Sequence, residues 1–313
     1  MYINLKRIEF VITYKCSGKC KHCSVGEEIK SKSNGHIEYE KISGILKQLT
    51  KKFNIESIMC FGGEPLLYSD DVSKIMKEAK ACNISKRQII TNGYFSRSYE
   101  KVKDVVLLLE ETGVTDLLLS IDSFHQETIP IEYVYKFAKQ IKDHDVINIK
   151  VHPAWLVDRE KKNSWNNETE NLLDLFTILN IPISMGNNII PTGNAIKYLS
   201  NYYGTPDMNL DYFCGSSKYT NPLDKIDTIS IMPNGDVCIC SFVIGNIYHE
   251  QIEDIINRYN PNDNKYMRLL MDEGVNGLYE YAKSIGIHTK LDQYHTPCNV
   301  CKDIMKEIML NKM

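Results

Sequence analysis

The sequence has no apolar run long enough to span a bilayer, although 43% of its residues are hydrophobic, so membrane insertion is not expected. It also lacks the charged, then apolar, then small pattern of a cleaved signal, because the N-terminus runs straight into Ile3-Asn4-Leu5-Lys6-Arg7-Ile8-Glu9-Phe10. Export is therefore not expected, and a cytoplasmic location is. No bank of basic residues is present: the formal net charge is -3 and the lysines are scattered, which gives no field to hold a nucleic-acid backbone. Low-complexity segments and solenoid-type repeats are missing as well. What stands out is cysteine, ten in 313 residues. In a reducing compartment, clustered cysteines hold metal rather than pair.

Five segments carry apolar residues at i, i+3, i+4 and i+7, the spacing of one helical face. They are Ile42/Ile45/Leu46/Leu49, Val72/Ile75/Met76/Ala79, Val102/Val105/Val106/Leu109, Val134/Phe137/Ala138/Ile141 and Leu172/Leu175/Phe176/Leu179. Between and around them lie runs of strand length: Ile8 to Ile12, Ile58 to Phe61, Gln88 to Thr91, Leu117 to Ile121, Ile147 to Val151 and Ile183 to Met185. Alternating strands and amphipathic helices predict an α/β fold with a parallel sheet, a partial (βα)6 barrel whose working groups gather beyond the carboxyl ends of the strands. The rhythm stops after Pro191-Thr192-Gly193-Asn194-Ala195, and Asn201 to Tyr212 reads as a connection. Beyond it, Thr228 to Cys240 predicts a β-hairpin turning at Asn234-Gly235, followed by two helical faces, Ile252/Ile255/Ile256/Tyr259 and Leu278/Tyr281/Ala282/Ile285. Residues 1–200 are thus expected to form the barrel and 201–313 a small α+β domain.

Cys16, Cys20 and Cys23 follow the first strand directly, where a loop can wrap three thiolates around iron. Gly18 permits the tight path. Three ligands for four irons leave one coordination position open, which distinguishes a reactive metal from a structural one. The spacing Cys-x3-Cys-x2-Cys, with His22 before the last cysteine, resembles the radical S-adenosylmethionine (SAM) superfamily. That resemblance implies a 4Fe-4S cluster whose open iron chelates SAM, and an electron donor such as flavodoxin or ferredoxin that reduces it. It also implies a 5′-deoxyadenosyl radical that removes a substrate hydrogen atom. Gly62-Gly63-Glu64-Pro65 matches the family's Gly-Gly-Glu-Pro motif, whose backbone and carboxylate are expected to receive the SAM ammonium. By the same resemblance Asn92, Ser120 and Asp122 contact the ribose and methionine portions, and the segment around Gly193 passes the adenine. The competing readings are zinc held by the cysteines with His22, a helix-capping Asp122, a filler Ser120, and a His125 that is either a substrate contact or a surface group.

Four further cysteines, Cys214, Cys240, Cys298 and Cys301, suffice for a second cluster. A hairpin cysteine, a helix and then Cys-x2-Cys is similar to the twitch domain, the short form of the SPASM auxiliary-cluster domain, and implies one auxiliary 4Fe-4S cluster. A zinc knuckle would use the same thiolates, and the spacing leaves the hairpin ligand open between Cys238 and Cys240, which face the same side of a regular strand. Cys60 and Cys82 read as small buried hydrophobes. The tail Glu273-Gly274-Val275-Asn276-Gly277-Leu278 leading to Cys298-Asn299-Val300-Cys301 resembles compact radical SAM peptide epimerases. In those enzymes a cysteine following the hairpin ligand returns hydrogen to a Cα radical; here Ser241 follows Cys240, and Cys238 is the candidate catalytic donor. Expected substrates are a ribosomally made peptide, epimerised or crosslinked, or alternatively a small sugar or aminocyclitol. With no module before the first strand, a peptide would be captured by the barrel mouth and the C-terminal domain. A cluster-bearing sensor without turnover is the reading from another class.

Overall fold

The computed structural model describes residues 2–26, 35–204, 208–216 and 220–310. Within the connection expected at Asn201 to Tyr212, residues 205–207 lie outside them.

Five strands run parallel in chain order: β1 (Ile3–Thr13), β2 (Ser57–Gly62), β3 (Lys86–Thr91), β4 (Asp116–Leu119) and β5 (Asn148–Val151). Phe10, Cys60, Ile89, Leu117 and Ile149 stand side by side across this sheet. All five are buried, so one face is an unbroken apolar layer that includes Cys60. Burial pushes its thiol pKa far up. Against the layer pack α3 (Ser69–Ala81), α4 (Tyr99–Thr112) and α6 (Ile131–His144), which bury the expected faces. Ser98 caps α4 by accepting from the Lys101 N–H, and Gly113 ends it in the left-handed region.

The opposite face is polar toward the amino ends of the strands. Arg7 donates to Glu9, Gln88 and Ser57 at 2.9, 2.9 and 3.3 Å, and Ser230 donates to Glu9 at 3.3 Å. This network closes the base of the barrel and leaves its other end for the site.

Three elements depart from the sequence pattern. The first expected helix is two, α1 (Tyr39–Ile42) and α2 (Ile45–Thr50), because Gly44 turns left-handed at φ 85° and Glu78 of α3 accepts from the Gly44 and Leu46 N–H groups. In α7 (Ser164–Thr177) the buried face is Asn166/Thr169/Leu173/Phe176, and Leu175 is exposed. The sixth strand shrinks to one bridge, Val151 to Ile183, continued by a two-residue pair of β6 (Ala154–Trp155) with β7 (Asn187–Asn188).

The later chain adds α8 (Asn194–Leu199) and then β8 (Ile226–Ile231), β9 (Asp236–Ile239) and β10 (Phe242–Asn246). β8 pairs in parallel with β1, so the expected hairpin extends the main sheet and its Ile231 lies beside Phe10. The turn holds Pro233-Asn234-Gly235, with Gly235 at φ 84° and the Met232 N–H bonded to the Asp236 carbonyl. β10 was not expected. Four helices finish the chain: α9 (Ile252–Asn257), α10 (Lys265–Asp272), α11 (Gly274–Ser284) and α12 (Pro297–Leu310).

Candidate functional site

Loops from the carboxyl ends of the parallel strands enclose a cavity of about 450 Å³, within the range of sites that hold small ligands. Cys16, Cys20 and Cys23 line it together with Gly62, Gly63, Asn92 and Ser120. The cysteine loop is braced from behind. The Asn194 N–H and side-chain amide donate to the carbonyls of Cys23 and Cys20 at 2.9 and 3.1 Å, and the Lys19 N–H donates to Thr128 at 3.0 Å. Gly193, at φ 56°, lies so close that an added Cβ would stand 2.6 Å from the Cys23 carbonyl oxygen and 2.5 Å from that of Ser24. It therefore positions the cysteine loop. Gly63 has the same character on the other side, since a Cβ there would stand 2.0 Å from the Lys15 carbonyl oxygen.

Glu64 and Pro65 lie behind the cavity wall and do not line it. The Glu64 carboxyl is fully buried and accepts from the Thr91 hydroxyl at 2.7 Å, the Asn92 N–H at 2.8 Å and the Leu66 N–H at 3.0 Å. Burial, set against those bonds, lifts its pKa from 4.5 to about 7. In this arrangement the motif offers the cavity its backbone, while the carboxyl ties β2 to the end of β3.

Asp122 caps α5 (Ser123–Gln126), accepting from the Phe124 and His125 N–H groups at 3.1 and 2.9 Å. Its second oxygen accepts from His125 Nδ1 at 2.8 Å and the Ala154 N–H at 3.1 Å. Burial would raise its pKa, but the His125 charge and hydrogen bonds outweigh that and hold it at about 2. His125 thus has Nδ1 committed to an ionised carboxylate while its ring lines the cavity beside His22, at 4.7 Å between centroids. His152, also on the wall, pairs Nδ1 with the Ser184 hydroxyl at 2.8 Å and Nε2 with the Asn187 side-chain amide at 2.9 Å; burial lowers its pKa. No spacing rule in the sequence points to His152 or Asn187, because they meet only through the β6–β7 pair.

The C-terminal cysteines come from three distant segments. Cys301 has Cys214, Cys240 and Cys298 as its electrostatic neighbours, and Cys214 has Cys240 and Cys298. Cys238 has Asp236 and Cys240 as its electrostatic neighbours and itself neighbours Tyr14, two residues before Cys16. Cys240 sits at φ 52° just past β9, so it lies outside the regular strand from which the shared facing of the two thiols was expected. Burial first, then neighbouring thiols, pushes Cys214 up to about 12; burial and Asp236 do the same to Cys238. Cys238 does not line the 450 Å³ cavity. Cys214 is placed by the glycine tail: the Val275 and Asn276 N–H groups donate to the Tyr212 and Leu210 carbonyls, and Gly274 lets the chains close to where a Cβ would stand 2.8 Å from the Tyr212 oxygen. None of the ten cysteines is in a disulfide. Among the described residues, only His22, Asp122 and His125 form a group of three metal-capable side chains within 4.8 Å of one another.

The sequence model of the radical SAM superfamily matches residues 10–152, the stretch from β1 to the end of the fifth strand. Residues 10–152 are thus similar to the radical SAM domain. Over 124 residues it is 30% identical to a probable GTP 3′,8-cyclase of Methanocaldococcus jannaschii, covering 39% of this chain and 38% of that protein. Over 154 residues it is 23% identical to the putative peptide biosynthesis protein YydG of Bacillus subtilis, covering 49% of this chain and 47% of the relative. The chain therefore spans less than half the length of these curated relatives. The solved structure of native anSMEcpe with bound AdoMet superposes with a TM-score of 0.54 at 13% identity, covering 98% of each chain. That likeness is one of fold, and it extends beyond residues 10–152 to the C-terminal region.

Proposed function

We propose that this protein is a radical SAM enzyme that modifies a peptide. The observation that carries the reading is the cysteine loop at the mouth of the parallel sheet, sharing one cavity with Gly62, Gly63, Asn92 and Ser120. Cys16, Cys20 and Cys23 would hold a 4Fe-4S cluster, and the Gly62-Gly63 backbone with Ser120 would take the methionine and ribose portions of SAM. Among the described residues the cysteine sulfurs do not form a preassembled zinc tetrahedron. A zinc tetrahedron brings sulfurs to about 3.8 Å of one another, whereas no three cysteine sulfurs stand within 4.8 Å among the described residues. When bound, the reduced cluster supplies the electron that splits SAM, and the radical so formed takes a hydrogen atom from the substrate. The residues of this chain brace the loop, close the barrel base and set His125 on the wall.

The convergence of Cys214, Cys240, Cys298 and Cys301 supports one auxiliary cluster in a twitch-type region, with Cys240 rather than Cys238 as the hairpin ligand. Cys238, beside Tyr14 and Cys240, is then the candidate hydrogen donor for epimerisation. The kinship with a putative peptide biosynthesis protein supports a peptide substrate. The test is anaerobic turnover of candidate peptides in deuterated water. Epimerisation through an exchangeable thiol is expected to add one mass unit, and Cys238→Ala to abolish that gain while 5′-deoxyadenosine still forms. A two-unit loss without deuterium would replace epimerisation by crosslinking or dehydrogenation. Unchanged product from Cys238→Ala would remove that thiol from the mechanism.

A further inference from the structure

The Asn92 side chain is oriented at both ends. Its Oδ1 accepts from the Tyr94 N–H at 2.8 Å, so Nδ2 is turned the other way, where it donates to Cys16 Sγ at 3.4 Å and Ser17 Oγ at 3.2 Å. The residue is 4% exposed, and its backbone N–H is held by the buried Glu64 carboxyl. Cys16 Sγ also accepts from the Gly18 N–H at 3.3 Å. Two N–H dipoles therefore converge on one ligand sulfur, one from the cysteine loop itself and one from the end of β3, 76 residues away in sequence.

Adding an electron to an iron-sulfur cluster places negative charge on its sulfurs, and N–H groups aimed at a sulfur stabilise the reduced form. We propose that Asn92 raises the reduction potential of the cluster held by Cys16, Cys20 and Cys23, acting as a positioning and tuning residue through Cys16 rather than by contact with SAM. Glu64 acts at one remove, since its carboxyl sets the backbone from which the amide reaches. The inference rests on the cluster assignment made above and assigns Asn92 a role that is present before SAM arrives.

The experiment is an EPR-monitored redox titration of the anaerobically reconstituted full chain without SAM, in the wild type, Asn92→Ala and Asn92→Ser. Serine still lets its hydroxyl accept from the Tyr94 N–H and falls short of Cys16, so it guards against loss of the fold. The relevant signal is the one missing from the Cys16→Ala/Cys20→Ala/Cys23→Ala variant. Both Asn92 variants are expected to keep that signal with a more negative midpoint. At fixed poise the ratio of reduced to oxidised cluster should fall roughly tenfold, about 59 mV for a one-electron couple. Midpoints equal to wild type, with only SAM affinity changed, would overturn the inference and leave the cluster assignment standing. A wild type without any signal that depends on Cys16, Cys20 and Cys23 would overturn the assignment and the inference together.

Discussion

A carboxyl removed from water is either neutral or surrounded by donors. Asp122 and Glu64 divide along that line. Asp122 has four donors, two of them on His125 (its backbone N–H and its ring Nδ1), and stays ionised. Glu64 has three neutral donors, and burial lifts it to about 7. A carboxyl whose folded pKa lies above its unfolded value stabilises the fold fully below the unfolded pKa and loses that contribution as pH rises through the folded one. Between about pH 4.5 and 7 Glu64 should therefore cost the wild type roughly 3 kcal/mol of stability, while Glu64→Gln should lack that slope. Denaturant titrations of both proteins at pH 5 and 7.5 measure it, and parallel pH profiles would refute the assignment. The motif around Glu64 was legible in the sequence, but the direction of its side chain was not. A carboxylate after two glycines has the same spacing whether it meets a ligand or, as here, the next strand. Asp122 followed by His125 shows the converse, since an i, i+3 pair at a helix start is readable as a cap, and the cap is what orients the imidazole.

At the scale of elements, what holds the cysteine loop comes from far along the chain. Gly193 and Asn194, at the start of α8, clamp the carbonyls of Cys20, Cys23 and Ser24. Gly193→Ala puts a Cβ into two carbonyl oxygens at a left-handed φ and is expected to cost about 1–3 kcal/mol. Iron bound at the first site should drop by half or more, with the second site unaffected; colorimetric iron and sulfide assays read this directly, and full loading would show that the clamp is dispensable. The periodicity of α3, α4 and α6 was readable because each buries one continuous stripe. It failed at α7, where Asn166 and Thr169 occupy the buried face. Asn166 donates to the Leu156, Asp158 and Lys161 carbonyls and Thr169 bonds Ser123 and the Trp165 carbonyl. Such satisfied polar groups look like a solvated face in a hydrophobicity pattern. The split of α1 from α2 was hidden for a similar reason, since Glu78 supplies the cap from another helix.

Over the whole molecule the two halves share one sheet. β8 continues the barrel sheet beside β1, and Asn299, between Cys298 and Val300, donates to the Pro191 carbonyl at 2.5 Å. The Cys-x2-Cys at the start of α12 is thereby tied to the last loop of the barrel, so the second cysteine group and the first have a fixed relation. The βα order and the four C-terminal cysteines were legible from spacing. That the hairpin would extend the main sheet was not, because edge pairing depends on which strand edge is left open, and spacing carries no record of that. Cys214→Ala, Cys298→Ala and Cys301→Ala combined should halve the iron content and leave 5′-deoxyadenosine formation detectable, which separates the two cysteine groups by function. The central claim is a cluster at Cys16, Cys20 and Cys23 that splits SAM, and the most direct measurement is 5′-deoxyadenosine released from SAM and dithionite by the anaerobically reconstituted chain. The expected result is release by the wild type and none by Cys16→Ala/Cys20→Ala/Cys23→Ala. Equal release by both proteins, or none from a wild type fully loaded with iron, would contradict it.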